Sequence, residues 1–147
     1  MLPTLNGRIQ TRVLGLGIIG AVVALVLTPV LPTGRLSLPE SYGVTFSVLL
    51  AVVLVGVLWE LLYHFLQQFR WEKDWPTLFG LLTAINEGLL IWLLLRYTTT
   101  VVPESMRPSV AAFLIQFIVT WLVFWLVVNG PMRAVFHRWR FKGGRFL

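Results

Sequence analysis

Four apolar runs, each close to the length of a bilayer crossing, dominate this chain and leave it few ways to fold in water. They occupy residues 13–31, 44–65, 77–95 and 109–128. A helix needs about 20 apolar residues to traverse the hydrocarbon layer. A soluble domain of 147 residues that is 57% hydrophobic and only 12% charged would leave much of that apolar surface facing water. The expected fold is therefore all-α: an integral membrane protein of four transmembrane helices in a single membrane domain, residues 1–147. The charged lead of residues 1–12 resembles the start of a signal peptide. The apolar run after it is too long for one and shows no convincing cleavage site, so it reads as an uncleaved first span.

The first run carries Gly17, Gly20, Ala21 and Ala24 at i, i+3, i+4 and i+7, a stripe of small residues that lets two backbones approach closely. Pro29 and Pro32 end it. In the second run Gly56, Glu60, Tyr63, His64 and Gln67 line one helical face. Residues 66–76 form a hairpin of mixed charge, with Arg70, Glu72, Lys73 and Asp74. Trp71 and Trp75 there suit the headgroup layer, and Pro76 suits the first turn of the next helix. The third run places Gly80, Thr83, Ala84, Asn86 and Glu87 together on a small, polar side, with Glu87 close to the midplane. The fourth aligns Ser109, Ala112, Gln116 and Thr120 opposite an aromatic-rich face. Asn129-Gly130-Pro131 is a strong helix stop.

The tail, residues 129–147, reads as a short amphipathic basic segment. Met132, Val135, Phe136 and Trp139 share one face, and the segment carries Arg133, Arg138, Arg140, Lys142 and Arg145. Such a segment is expected to lie on anionic lipid headgroups. The same headgroups account for the net charge of +6 without nucleic acid, since the basic residues flank apolar runs. Ten of the twelve cations are Arg, a bias associated with high-GC bacterial genomes. With four crossings, the lead, the hairpin and the tail share one side and hold nine of those cations, against Arg35, Arg96 and Arg107 on the other. Cytoplasmic loops carry the excess of Lys and Arg. Both termini are therefore expected in the cytoplasm, in a plasma (inner) membrane.

No Lys or Arg falls inside any of the four runs, so Glu60 and Glu87 are each expected to lack an internal cation. Carboxylates at membrane depth are rare and face a partner or a watery path. Three readings follow. Glu87 and Asn86 are contacts to other membrane protein subunits, and the chain is a non-enzymatic subunit of a larger complex. Alternatively Glu60, His64 and Glu87, with Thr83, Gln116 and Thr120, form a proton or cation path, alone or in a homo-oligomer. The third reading is a small membrane enzyme acting on lipid around Glu60 and His64. The first is favoured, because the loops are short and no soluble domain is present. It expects no catalytic residue, no cofactor and no metal site; the absence of cysteine excludes thiolate ligands, disulfides and cysteine nucleophiles.

Overall fold

The computed structural model describes residues 4–69 and 77–146, with the side chains of the third long helix described from Leu82 onward. Every regular element among these residues is helical. Three stretches, Leu5–Val30, Leu38–Gln67 and Val110–Val135, are long and apolar enough to cross a membrane. The hairpin residues Arg70–Pro76, with Trp71, Trp75 and the four charges, lie outside the described residues.

Helix α1, Leu5–Val30, begins well before its expected start. The Thr4 hydroxyl caps it by accepting from Gly7 N–H at 3.2 Å, so the polar lead is itself helical. A π-helical stretch, Thr11–Leu16, interrupts it, and a 3₁₀ turn containing Pro29 closes it. Helix α2, Leu38–Gln67, starts at a capping box in which Ser37 N–H donates to Glu40 Oε2 at 2.8 Å. Helix α3 is Thr77–Tyr97. Helix α4, Val110–Asn129, is capped by Ser109, whose hydroxyl accepts from Ala112 N–H and donates to the Pro32 carbonyl at 3.1 Å. That second bond ties the start of α4 to the end of α1.

Both α1 and α3 pack between α2 and α4. The core they enclose is Leu16 from α1, Val44, Val48 and Val52 from α2, and Ile91 and Leu95 from α3. From α4 come Phe113, Phe117, Trp121 and Phe124, whose rings follow one another along the helix with centroids 5.6–6.4 Å apart, stacked at Phe113–Phe117 and edge-to-face at Trp121–Phe124. Gly20 and Ala24 are buried inside this bundle, Gly20 directly against Leu49 and near Thr120. Ala21 is half-buried, and a side chain at Gly17 would meet open space. The small-residue stripe therefore divides, with its buried members serving contacts within the chain.

The tail departs from the expected single amphipathic helix. Gly130 turns the chain, and two short helices follow, α5 (Pro131–Val135) and α6 (His137–Phe141), broken at Phe136. Gly143 and Gly144, at φ 66° and 83°, then fold the last residues back onto the start of α1. The Gly143 carbonyl accepts from Thr4 N–H at 3.0 Å, and the Gly144 carbonyl from the Thr11 hydroxyl at 3.0 Å. Trp139 Nε1 donates to Thr11 Oγ1 at 2.8 Å, and Phe146 N–H to Gln10 Oε1 at 2.8 Å. Positive φ suits glycine, and a β-carbon on Gly7 would collide with the Gly143 carbonyl. Gly7→Ala should therefore open this clasp. With hydrogen bonds contributing about 1 kcal/mol each, trypsin cleavage at Lys142 and Arg145 should accelerate roughly tenfold. Unchanged cleavage would mean that the clasp adjusts around the methyl.

Candidate functional site

Four charged side chains from α1, α2 and α3 meet inside the bundle. Glu87 is fully buried at 0% exposure, and Arg12 is 4% exposed. Arg12 Nη1 donates to Glu87 Oε2 at 2.7 Å and Nη2 to Oε1 at 2.6 Å. This two-pronged geometry is the strongest that an arginine and a carboxylate can make. Arg12 Nε reaches Glu60 Oε1 at 3.4 Å, and Arg8 Nε approaches Glu60 Oε2, also at 3.4 Å. Two cations thus face two carboxylates. Beneath them the Arg12 guanidinium lies 5.1 Å from the centroid of the Trp121 ring, whose negative face attracts it.

The expectation that the glutamates lack an internal cation is corrected here: Arg12 supplies it. Helix α1 begins at Leu5, so Arg12 lies about 10 Å along it at 1.5 Å per residue, with its long side chain extended inward. The π-helical stretch starts one residue before it. The widened turn leaves Thr11 and Arg12 both buried, followed by Gly15 and Leu16. Such turns are rare and are frequently found at functional sites.

Gly56 completes the cavity for Arg12. A β-carbon there would overlap Arg12 Nη1 and sit 2.6 Å from Cδ and 2.7 Å from Cζ. The guanidinium occupies the place of a side chain on α2, one turn from Glu60.

The other expected residues divide between inside and outside. Gln116 is buried and donates from Nε2 to the Thr45 carbonyl of α2 at 2.8 Å. Thr120 is buried beside Gly20, and Thr83 is half-buried. Gly80 lies in the part of α3 whose side chains are not described. His64, expected beside Glu60, is exposed. It shares the exposed end of α2 with Leu61, Leu62, Phe65 and Leu66, while Tyr63 and Gln67 of the same expected face stay half-buried. Asn86, expected to share the face of Glu87, is exposed on the outside of α3. Adjacent residues on a helix of 3.6 residues per turn point about 100° apart; here the buried side of α3 takes Glu87 and Gly88 and leaves Asn86 outside it. The tail cations Arg133, Arg138, Arg140, Lys142 and Arg145 are all exposed, with Arg145 Nε donating to Thr4 Oγ1 at 3.1 Å.

Chemically, the cluster is a neutralised lock. Removing charges from water is costly and is offset only when partners and geometry are good; the two-pronged pair meets that condition for Glu87. No protein-family model, curated protein or solved structure significantly matches this chain.

Proposed function

We propose that the chain is a four-span, non-enzymatic subunit that packs into a larger membrane assembly, with both termini on the cytoplasmic side of a plasma (inner) membrane. Helix α3, with 21 residues, supplies the fourth crossing at about 31 Å of length. Arg12, being buried, no longer reports on orientation; the hairpin and tail cations still outweigh those of the opposite loops. The exposed cations Arg133, Arg138, Arg140 and Lys142 support contact with anionic headgroups.

One observation carries the reading. The interior charges neutralise one another within the chain, while the amide of Asn86 is turned outward from α3. A polar group facing lipid loses its hydrogen bonds, so Asn86 supports a protein neighbour at that depth. The native mass in a mild detergent tests this. The expected result is migration well above the 16.7 kDa chain together with other polypeptides in a defined complex; a lone monomer, or copies of this chain alone, overturns it.

A second reading, a proton or cation path, has one supporting observation. The side chain of Glu60 keeps 16% exposure and lies between Arg8 and Arg12 without a two-pronged partner. Proton flux in vesicles that is abolished by Glu60→Gln would favour it.

A further inference from the structure

The outward face of α3 carries a regular pattern of exposed residues. Leu82, Asn86, Leu89 and Leu93 follow one another at spacings of four, three and four, the repeat by which two helices supercoil with left-handed, interlocking side chains. All four are exposed, Leu82 at 46%, Leu89 at 59% and Leu93 at 41%. Ile85 and Leu90 flank the seam. The seam ends at Leu93, before Arg96 in the last turn of the helix. A single Asn within an otherwise apolar seam of this kind fixes register and the number of strands. The Asn86 amide makes no hydrogen bond to any other described residue.

We infer that the neighbour is a second copy of this chain, paired through α3 about a two-fold axis along the membrane normal. Three features select a copy over an unrelated helix. All copies insert with one orientation, so a two-fold axis brings Asn86 opposite Asn86 at equal depth without adjusting register. An amide both donates and accepts, so the pair is self-complementary in a way that two carboxylates or two cations are not. The seam is also symmetric in content, leucine against leucine on both sides of the amide. The charged cluster stays outside this contact, because Glu87 points about 100° away into the bundle.

This inference rests on the proposed membrane-subunit reading and names its first partner. The chain has no cysteine, so single introduced cysteines report contacts directly. Leu89→Cys and Leu93→Cys on the seam and Leu54→Cys on the exposed face of α2 are each oxidised in the native membrane. Disulfides need Cα atoms within about 7 Å. The expected result is a disulfide-linked dimer from the two seam positions and little from Leu54→Cys. Adding Asn86→Leu should lower the yield roughly five- to tenfold, within what one interhelical hydrogen bond contributes in a membrane, and Asn86→Gln should preserve most of it. Seam cysteines that link no better than Leu54→Cys overturn the second copy. If the protein then still migrates with other polypeptides, the subunit reading survives with a different neighbour; if it migrates as a monomer, both fail.

Discussion

Replacing Arg12 with methionine is expected to destabilise the bundle by about 3–5 kcal/mol, because it leaves Glu87 fully buried with no cation to bind it. Methionine fits the volume and flexibility of the arginine stem, so the loss reports charge and not a cavity. Arg12→Lys keeps the charge but not the fork that meets both Glu87 oxygens, and should fall between the two. Glu87→Leu strands Arg12, whose remaining partner Glu60 is at 3.4 Å. It should be damaging but milder, since the guanidinium retains both Glu60 and the Trp121 ring. Denaturant unfolding in a single detergent, followed by circular dichroism, orders the three. A loss under about 1 kcal/mol for Arg12→Met, a value typical of a surface pair, would mean that water reaches the site.

The second large effect is at Gly56. Alanine would place its methyl within 2.7 Å of Arg12 Cζ, and an exposed, unpaired arginine would simply swing aside. Here the guanidinium is held at both prongs, so either α1 moves away from α2 or the pair with Glu87 opens. Overpacking alone costs about 1–3 kcal/mol, and Gly56→Val should exceed Gly56→Ala. The sign should change with the side chain absent: in an Arg12→Ala chain, Gly56→Ala should be neutral or stabilising, since helical alanine is favoured over glycine by about 1 kcal/mol. Equal losses in both backgrounds would place the fault in the α2 backbone and not at Arg12.

Helix positions were legible because long apolar runs and their stops act over many residues. Asn129-Gly130-Pro131 ends α4 where expected, and the polar face of the fourth run buries Gln116 and Thr120. The start of α1 was not legible, because counting apolar residues discards the polar helical turns between Leu5 and Arg12. A signal for it did exist. Two glutamates within long apolar runs call for a cation, Gly56 leaves a side-chain-sized space one turn from Glu60, and Arg12 is one of two cations, with Arg96, that directly adjoin an apolar run. The split between Glu87 and Asn86 was not legible, since adjacent helical residues can both be buried, as Glu87 and Gly88 are. The tail clasp was illegible for a different reason. It is made largely of hydrogen bonds between backbone groups and the side chains of Thr4, Gln10 and Thr11, across more than 125 positions of sequence. Hydrophobic periodicity carries no trace of such contacts.

The most direct test of the account is the energetic coupling between Arg12 and Glu87. Arg12→Met, Glu87→Leu and the double substitution are compared with the native chain by unfolding in the same detergent. A closed structural lock predicts that the double variant is more stable than the Arg12→Met chain, with a coupling of about 2–3 kcal/mol, because two apolar side chains then replace a neutralised pair. Losses that simply add would contradict it: the two groups would then act independently, and Glu87 would be free for the ion path that the lock denies it.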